Sequence, residues 1–337
     1  MSEKPRIGVV GAGAWGTALA QMLASDCRDV VIWAYEAEVV EAINTQGRNR
    51  QYLPSAELSE TIRATNDLND LAGLETVLVV TPAQVLGRVL EGLSKAPRDL
   101  VLCSKGIEAG TGRLMNDAAR AASPESEIAV LSGPTFAHEV AGGLPTAVTL
   151  ACEGGRAQWE RLSPDIARPA FRPYYSDDVT GAEIGGSIKN VLAIACGVVE
   201  GLQLGQNARA ALIARGFSEM LRFGTALGAQ AETLSGLCGL GDLVLTCSST
   251  SSRNFSLGKA LGEGASAAEL MADRTTVAEG AHTAPVLAGL AQERGIAMPI
   301  VSAVDEILLG ADTKEVVARL LARPLTAELP SDQSDIA

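Results

Sequence analysis

The sequence contains few of the residues that build metal centres or disulfide frameworks. It has only two histidines, His138 and His282, which excludes a metal site built on several histidine ligands. None of its six cysteines forms a C-x-x-C pair, and most of them lie in apolar runs. We therefore expect buried free thiols in a reducing cytoplasm, with no disulfides and no bound metal.

Positive charge is also scarce. The chain has 27 Lys and Arg residues against 40 Asp and Glu residues, which gives a net charge of −13. A negative surface repels nucleic acid and anionic lipid, so we expect neither as the main partner. A phosphorylated substrate is compatible with this composition, because local basic residues decide whether an anion binds. The 337 residues are 47% apolar and 20% charged, which is typical of a globular chain with two domains.

Long uncharged runs are rare as well. One covers Ile7–Ser25 and follows Lys4 and Arg6, a charge profile that secretory signal peptides share. Four glycines are spaced through this run and another apolar run follows it, so we interpret it as a folded strand, turn and helix. No other uncharged run reaches the length of a membrane span, and we expect none.

The first motif is a glycine-rich turn. The β-branched run Ile7–Val10 predicts a buried strand, and Thr17–Ala24 is rich in helix-forming residues. Between them Gly11, Gly13 and Gly16 give the pattern G-x-G-x-x-G. In a strand–turn–helix unit the first glycine permits the tight turn, the second lets a pyrophosphate approach the backbone, and the third lets helix and strand pack closely. The sequence therefore predicts a dinucleotide-binding turn.

An acidic residue follows the second predicted strand. The apolar run Val30–Trp33 predicts that strand, and Tyr35 and Glu36 come directly after it. Glu36 stands about 20 residues past the last glycine, where an acid can bind the ribose hydroxyls of adenosine. A solvated loop acid would look the same in sequence, so both interpretations of Glu36 stay open.

Short apolar strands then alternate with helical patterns. We predict strands at Thr76–Val80, Leu100–Cys103, Ile128–Leu131 and Ala147–Leu150, and helices at Glu38–Asn44, Gln84–Ser94 and Arg113–Ala122. This alternation predicts an α/β fold with an N-terminal Rossmann-type, doubly wound and mostly parallel sheet. Ligands bind at the carboxyl ends of strands in such sheets. Lys105 follows one strand and we expect it to contact the ligand; the turn Gly133–Thr135 follows another and offers a hydroxyl, or is a plain turn.

The pattern changes after about Gly181, where predicted strands end and helix follows helix. The predicted helices are Ile184–Leu202, Ala208–Leu227, Phe255–Leu261, Ser266–Ala272, Thr283–Arg294, Pro299–Leu309 and Lys314–Arg323. We therefore predict a Rossmann-type domain at residues 1–184, an all-helical substrate and catalytic domain at 185–329, and a polar tail at 330–337.

One lysine in the helical half stands among apolar residues. Lys189 shares its row of the predicted helix with Gly185, Ala193 and Gly197, which are all small. A small-residue face admits another backbone or a flat cofactor. Partial burial favours the neutral form of a lysine, which suits the side chain to proton exchange. A lysine that snorkels from a packed helix is the structural alternative.

Two polar clusters follow farther along the helical half. Asp242 lies in the apolar, glycine-rich stretch Gly239–Thr246, where a buried carboxylate needs a partner. Lys189 is the natural partner, although Asp242 could instead cap a helix. The run Ser252–Asn254 begins an apparent helix with a hydroxyl, a guanidinium and an amide, a combination that favours a bound phosphate over simple capping.

These residues fall into motifs of a known family. In order along the chain stand Gly-Ala-Gly-Ala-Trp-Gly-Thr-Ala-Leu-Ala, Ser-Lys-Gly-Ile-Glu, Ser-Gly-Pro-Thr-Phe-Ala, Gly-Ser-Ile-Lys-Asn-Val, Asn-Ala-Arg-Ala-Ala-Leu-Ile, Gly-Leu-Gly-Asp-Leu-Val-Leu-Thr-Cys, Ser-Arg-Asn and Val-Ala-Glu-Gly. Through these eight motifs the chain resembles bacterial NAD(P)-dependent glycerol-3-phosphate dehydrogenase over essentially its whole length.

The resemblance implies an activity and a set of site residues. The activity is reversible hydride transfer between dihydroxyacetone phosphate and sn-glycerol 3-phosphate, with NAD or NADP as cofactor, in a cytoplasmic enzyme that supplies phospholipid synthesis. Lys189 matches the catalytic lysine, the general base toward the alcohol, and Asp242 would orient or tune it. The implied substrate contacts are Lys105, Gly133, Thr135, Lys189, Asp242, Ser252, Arg253 and Asn254. The implied cofactor contacts are Gly11, Gly13, Ala14, Trp15, Gly16, Tyr35, Lys105, Ala137, Arg253, Val277 and Glu279. His138 matches no functional position, and we expect a homodimer.

One position departs from the family pattern. After Trp33 and Ala34 the family often has Arg or His, which can meet an adenosine 2′-phosphate, whereas this chain has Tyr35. A phenol does not neutralise that phosphate, and Glu36 would repel it. The sequence therefore predicts a weaker preference for NADP than is usual in the family, with a lean to NAD.

Two alternative functions are weighed against this one. A related two-domain β-hydroxyacid dehydrogenase also pairs a Rossmann domain, a helical domain and a lysine, but Lys105 and the run Ser252–Asn254 disfavour it. A non-catalytic dinucleotide sensor would need neither Lys189 nor Asp242, and this chain has both.

Overall fold

The computed structural model describes residues 6–272 and 278–325. They form two compact units: the chain up to Lys105 with Arg113–Glu183, and Gly106–Gly112 with the chain from Ile184 onward. The short segment Gly106–Gly112 therefore belongs to the helical unit, although it lies between the two stretches of the first unit in sequence. A division of the chain at one residue does not describe this arrangement. The predicted partition at residue 184 stays a prediction, and the predicted tail at 330–337 lies outside the described residues.

Eight strands form one sheet in the first unit. They are β1 (Ile7–Val10), β2 (Val30–Trp33), β3 (Ile62–Thr65), β4 (Thr76–Val79), β5 (Asp99–Leu102), β6 (Glu127–Ser132), β7 (Thr146–Cys152) and β8 (Phe171–Ser176). Their order is β3-β2-β1-β4-β5-β6-β7-β8, and every neighbouring pair is parallel except β6 and β7. The predicted doubly wound, mostly parallel sheet is confirmed.

The strand order reverses between β1 and β4. From β1 the chain moves outward through β2 to β3, and it then returns to β4 on the other side of β1. Loops at the carboxyl ends of β1 and β4 diverge at this point, which leaves a crevice where ligands of such sheets bind. The glycine-rich turn follows β1, so the topology places it at this crevice.

Six helices accompany the sheet in the first unit. They are α1 (Ala14–Ala24), α2 (Ala37–Gln46), α3 (Leu86–Glu91), α4 (Met115–Ala122), α5 (Ala137–Ala141) and α6 (Gly155–Ile166), with 3₁₀ turns at Leu68–Leu71 and Ala83–Val85. The central strands are wholly buried, with aliphatic residues at nearly every position. This composition is expected when helices cover both faces of a parallel sheet.

Sequence patterning missed two strands, and both are at the edges of the sheet. β3 pairs only with β2, and β8 pairs only with β7. β8 reads Phe-Arg-Pro-Tyr-Tyr-Ser and contains Pro173, which lacks the N–H that a central strand would donate. β3 contains the exposed Arg63 and β8 is exposed or half-buried after Phe171, so both lack the continuous apolar run by which the central strands are recognised.

In the part that the structure describes, the regular secondary structure of the second unit is helical, and Gly106–Gly112 is a loop. Its helices are α7 (Val179–Gly201), which begins in the first unit, α8 (Gly205–Ala226), α9 (Ala231–Leu234), α10 (Asp242–Cys247), α11 (Arg253–Gly262), α12 (Ala267–Ala272), α13 (Glu279–Glu293), α14 (Pro299–Leu308) and α15 (Thr313–Leu321). A π-helical turn, Leu237–Gly241, leads into α10. The short helices α9 and α10 lie inside glycine-rich sequence and were not predicted.

α7 is the central helix of the second unit. It is long and apolar enough to cross a membrane, but its most apolar window of 18 residues is completely buried. We therefore assign α7 to the protein core.

Glycines let α7 and α11 approach closely. A Cβ on Gly197 of α7 would lie 2.1 Å from the Phe255 carbonyl oxygen, and a Cβ on Gly258 of α11 would lie 1.9 Å from the Ile194 carbonyl oxygen. Neither position admits a side chain, so the two backbones touch along this stretch. The small-residue face predicted for the lysine helix thus receives another backbone there.

Candidate functional site

The glycine-rich turn has the geometry that the motif predicts. Gly11 has a φ of +110°, a left-handed conformation that side-chain-bearing residues rarely adopt. A Cβ on Gly16 would lie 1.8 Å from the Gly11 carbonyl oxygen, so glycine is required for the start of α1 to fold back over the turn. The turn and packing roles of these two glycines are therefore visible in the structure.

Gly13 is not explained by packing. A Cβ at this position would meet no heavy atom within 4 Å. Gly13 is the N-cap of α1 and, as a glycine, has no side chain that could bond the first N–H groups of the helix. An open approach to a helix N-terminus suits a pyrophosphate. Ala14, Trp15 and Gly16 form the first turn of α1, so their backbone surrounds this approach.

Buried polar atoms mark the same edge of the sheet. Trp15 Nε1, Thr81 Oγ1 and Ser132 Oγ are buried and have no hydrogen-bond partner among the described residues. Trp15 lies in the first turn of α1, which follows β1. Thr81 follows β4, and Ser132 is the last residue of β6. All three residues therefore lie near the carboxyl ends of strands. Buried polar groups are nearly always paired in native proteins. The open N-terminus of α1 at Gly13 is the feature of the crevice that fits a bound dinucleotide.

Two tyrosines lie near the end of β2. Tyr35 is 83% exposed, whereas the Tyr52 hydroxyl donates a hydrogen bond to Glu36 Oε1 at 2.8 Å. Burial raises the pKa of the Tyr52 phenol, and the bond to Glu36 and the charge of Glu36 raise it further. The half-buried Glu36 carboxylate thus has a hydrogen-bond partner, and its role toward the ribose stays a prediction.

The remaining predicted residues of the first unit follow other strands. Lys105 stands three residues past β5, and Gly133 follows β6 directly. A Cβ on Gly133 would lie 2.9 Å from the Val148 Cα, so close packing against β7 is sufficient to require glycine there. The Thr135 hydroxyl donates to the Gly133 carbonyl at 3.2 Å, and Ala137 begins α5. A ligand role for these residues stays a prediction.

In the second unit three polar side chains meet in the core. The Lys189 ammonium, from α7, donates to Asp242 Oδ1 and, at 3.0 Å, to Thr246 Oγ1. The Thr246 hydroxyl donates in turn to Asp242 Oδ1 at 3.3 Å. Asp242 is fully buried and Lys189 is 5% exposed. The predicted lysine–aspartate pair is present, and the lysine is more deeply buried than the half-buried state expected from sequence.

Local packing explains how this pair forms. Asp242 and Thr246 stand four residues apart on α10, so both side chains lie on one face of that helix. A Cβ on Gly185 would lie 2.5 Å from the Cys238 carbonyl oxygen. The missing side chain lets the turn before α10 rest directly against α7. The small row beside Lys189 therefore receives a backbone at this end as well, rather than a flat cofactor.

The predicted anion site lies at the start of α11. Ser252 is the N-cap, and its hydroxyl accepts a hydrogen bond from the Phe255 N–H at 3.2 Å. Arg253 is the first residue of the helix and is exposed. Capping is therefore observed at Ser252. Phosphate binding by Arg253 at this helix N-terminus stays a prediction.

Asn254 connects three helices of the second unit. Its Nδ2 donates to Asn190 Oδ1 at 3.0 Å, and its Oδ1 accepts from the Gly280 N–H at 2.9 Å. These bonds join α11 to α7 and to the start of α13. Glu279, a predicted cofactor contact, is the first residue of α13, whereas Val277 lies outside the described residues.

Other reactive groups have structural surroundings. His138 is exposed on α5. Cys247 follows Thr246 and is buried; burial first, and then a hydrogen bond with Cys196, raise the pKa of its thiol well above the usual value. Five of the six cysteines are buried, and Cys27 is exposed. Within the described residues no cluster of three His, Cys, Asp or Glu side chains could hold a metal ion.

Both halves of the chain match models of one protein family. The model described as the NAD-dependent glycerol-3-phosphate dehydrogenase N-terminus matches residues 6–158, and the corresponding C-terminus model matches residues 178–318. The chain belongs to the NAD-dependent glycerol-3-phosphate dehydrogenase family. The resemblance carried by the eight sequence motifs is confirmed.

Relatives of this family match over nearly the whole chain. A glycerol-3-phosphate dehydrogenase [NAD(P)+] of Erythrobacter litoralis is 74% identical over 326 residues, which covers 97% of this chain and 98% of that one. Its counterpart in Novosphingobium aromaticivorans is 73% identical over 325 residues, covering 96% and 98%. The crystal structure of glycerol-3-phosphate dehydrogenase from Coxiella burnetii has a TM-score of 0.90 at 40% identity, covering 95% of this chain and 99% of that one.

Sequence reasoning missed three residues that the structure connects to the predicted dehydrogenase site. Thr246 accepts a hydrogen bond from Lys189. Its position four residues after Asp242 was the feature of the sequence that could have indicated a shared helix face. Asn49 and Tyr52 lie in a segment without a secondary-structure pattern, between α2 and β3. Their links to the glycine turn and to Glu36 depend on tertiary contacts 37 and 16 residues apart in sequence, which periodicity does not report.

Proposed function

We propose that this chain catalyses the reversible reduction of dihydroxyacetone phosphate to sn-glycerol 3-phosphate with NADH or NADPH. Membership of the family and the 73–74% identity to relatives of that name support the proposal. They do not support a β-hydroxyacid dehydrogenase or a dinucleotide sensor. In the structure, the observation that carries the proposal is the buried pair of Lys189 and Asp242.

Lys189 is the residue that exchanges the substrate proton. When bound, the cofactor supplies or accepts a hydride at the C4 atom of its nicotinamide ring. In the direction of reduction, Lys189 Nζ gives a proton to the substrate oxygen on C2 as that carbon gains the hydride, and the C2 carbonyl becomes a hydroxyl. In the direction of oxidation, Nζ takes the hydroxyl proton. A positioned acid–base group of this kind contributes about 10²–10⁴-fold to the rate.

Asp242 and Thr246 hold the lysine for this exchange. Burial of a charged group is costly unless an opposite charge and hydrogen bonds compensate it. Asp242 Oδ1 compensates the ammonium, and Thr246 accepts another of its N–H bonds. These two bonds hold Nζ at a defined position in the core. We assign the proton exchange with the substrate oxygen on C2 to Nζ in this position.

The start of α11 is the part of the second unit that suits the substrate phosphate. Arg253 offers a planar, bidentate donor pair at the positive end of a ten-residue helix. Asn254 Nδ2 has a second N–H besides the one bonded to Asn190. We assign phosphate contact to these two side chains. Ser252, Lys105, Gly133 and Thr135 complete the proposed substrate contacts.

The end of β2 favours NAD over NADP. Tyr35 stands where the family often has a basic residue, and the Glu36 carboxylate lies beside it. A fixed carboxylate accepts the ribose 2′-hydroxyl of NAD and repels the 2′-phosphate of NADP. We expect a higher kcat/KM for NADH than for NADPH. A strong preference for NADPH in the same assay would contradict this assignment.

The cellular setting is also proposed from the family. A cytoplasmic homodimer that reduces dihydroxyacetone phosphate would supply glycerol 3-phosphate for phospholipid synthesis. The net charge of −13 agrees with a small-molecule substrate rather than nucleic acid as the main partner.

One assay separates the proposed function from its alternatives. The full chain is incubated with NADH or NADPH and dihydroxyacetone phosphate, and in parallel with NAD and 3-hydroxyisobutyrate in the oxidative direction. We expect cofactor oxidation that depends on dihydroxyacetone phosphate and no reduction of NAD by the hydroxyacid. Turnover of the hydroxyacid alone would favour the β-hydroxyacid dehydrogenase, and dinucleotide binding without turnover would favour the sensor.

A further inference from the structure

We infer that Tyr52 is a positioning residue that fixes the Glu36 carboxylate and thereby sets how strongly the protein discriminates NAD from NADP. The inference rests on the proposed cofactor site at the end of β2. The Tyr52 hydroxyl donates to Glu36 Oε1 at 2.8 Å, across 16 residues of sequence. Oε2 is the oxygen left on the far side of the carboxylate from this bond, and it is the oxygen we assign to the ribose.

The position of Glu36 in its own helix does not fix its carboxylate. Glu36 is the N-cap of α2, a place where a carboxylate ordinarily accepts a bond from the first turn of the helix. Among the described residues, its side chain makes no such capping bond. The contact that orients the Glu36 carboxylate therefore comes from Tyr52.

Tyr52 is itself anchored to the glycine-rich turn. Asn49 is completely buried, and its Nδ2 donates to the Ala12 carbonyl and to Thr17 Oγ1, both at 2.8 Å. Asn49 Oδ1 accepts the Tyr52 N–H at 3.1 Å. Asn49 thus ties the loop that carries Tyr52 to the turn proposed to hold the pyrophosphate, and the Tyr52 hydroxyl ties the same loop to Glu36. The acid proposed to bind the ribose and the turn proposed to bind the pyrophosphate are therefore connected through the same loop.

The charges in this loop show why a fixed carboxylate matters. Arg48 forms an ion pair with Glu57 on the loop, and Arg50 is exposed between Asn49 and Tyr52. A cation at the ribose would favour a 2′-phosphate, which is the opposite of the effect of Glu36. A carboxylate held in place repels the phosphate and accepts the hydroxyl without the entropy cost of ordering its side chain on binding. The bond from Tyr52 removes that cost for Glu36.

The test measures dinucleotide binding rather than turnover. Dissociation constants for NADH and for NADPH are measured by titration calorimetry on the full chain, for the wild type, Tyr52→Phe, Glu36→Ala and the double variant. Tyr174→Phe, which removes a hydroxyl from an exposed tyrosine on β8, is the matched control. The quantity compared is the ratio of Kd for NADPH to Kd for NADH.

We expect Tyr52→Phe to lower this ratio by about 2- to 10-fold, the value of one hydrogen bond, mainly through weaker NADH binding. Glu36→Ala should lower the ratio further, and Tyr52→Phe should change nothing more in the Glu36→Ala background. An unchanged ratio in Tyr52→Phe, an equal loss for both dinucleotides, or an undiminished effect in the Glu36→Ala background would each overturn the inference. Binding without reduction of dihydroxyacetone phosphate would contradict the proposed function alone, since the ratio would still decide the role of Tyr52.

Discussion

At the scale of single residues, the chemistry depends on how three buried side chains share their hydrogen bonds. The Lys189 ammonium bonds the charged Asp242 and the neutral Thr246. The Thr246 hydroxyl accepts a hydrogen bond from the lysine and donates one to the aspartate, so it acts as both acceptor and donor inside the cluster. The hydroxyl therefore fixes the direction of the ammonium without adding charge.

Thr246→Val tests this role of the hydroxyl. Valine has nearly the same shape, so the helix and the core should persist. A hydrogen bond to a charged group contributes about 1.5–3 kcal/mol, and we expect kcat for dihydroxyacetone phosphate to fall by about 10- to 100-fold. Thr225→Val is the matched control, because Thr225 is exposed and bonds only its own helix among the described residues. A kcat within twofold of the wild type in Thr246→Val would contradict the role.

At the scale of helices and strands, the elements that could be predicted from the sequence were mainly the buried strands and the long helices. The buried central strands and the long helices of the second half were predicted from periodicity, because a continuous apolar run or a helical stripe is a strong signal. The edge strands β3 and β8 were not predicted. β3 is mostly buried but is interrupted by the exposed Arg63 and ends in a polar threonine, whereas β8 is largely exposed and contains Pro173. The antiparallel direction of β7 was not predictable either, because no local pattern reports the partner of a strand.

Some residues of the candidate site could be identified from the sequence, and others depend on tertiary contacts. Lys189 and Asp242 were identifiable because a charge in apolar sequence needs a partner. Tyr52 was not, because its contact with Glu36 depends on how the loop after α2 folds back onto the glycine turn. The small residues beside Lys189 were recognised as a contact face, but sequence left open what covers them. In the structure, backbones cover them at Gly185 and Gly197.

The contact between α7 and α11 gives a prediction for stability. Gly258→Ala would place a Cβ 1.9 Å from the Ile194 carbonyl oxygen, so the helices must separate. Forced overpacking costs about 1–3 kcal/mol or more, and we expect a clear fall in Tm. Gly289→Ala on α13 is the matched control, because a Cβ there meets no heavy atom within 4 Å. It should raise stability by about 0.5–1 kcal/mol through helix propensity. Equal Tm values for the two variants would contradict the close packing.

At the scale of the whole molecule, two buried carboxyl groups make stability depend on pH. Glu183 Oε1 accepts the Asn116 N–H at the start of α4, and burial raises the pKa of Glu183 from 4.5 to about 8. Glu219 accepts the N–H groups of Ile300 and Val301 at the start of α14, and burial raises its pKa to about 7. Both groups are more readily protonated in the folded than in the unfolded chain. Their contribution to stability is therefore complete below pH 4.5 and is lost as the pH rises through the folded pKa.

Glu183→Gln isolates one of these contributions. Glutamine imitates the protonated carboxyl at every pH, so the variant should lose the contribution of Glu183 to the pH dependence and keep that of Glu219. Between the unfolded pKa and the folded pKa, the free energy of unfolding of the wild type should fall relative to Glu183→Gln by about 1.4 kcal/mol per pH unit. Urea unfolding from pH 5 to 8 measures the difference. The exposed Glu125→Gln is the control and should leave the pH dependence as it is in the wild type. A constant difference between wild type and Glu183→Gln would contradict a raised pKa.

The measurement that tests the central claim most directly is kcat for dihydroxyacetone phosphate in Lys189→Ala. Circular dichroism and dinucleotide affinity establish that the variant is folded. The control is Lys259→Ala, which removes a lysine whose partner is Glu263 on the same helix surface. If Lys189 exchanges the substrate proton, kcat should fall by about 10²–10⁴-fold while Lys259→Ala stays near the wild type. Near-normal turnover by folded Lys189→Ala would contradict the assignment of the proton to this lysine.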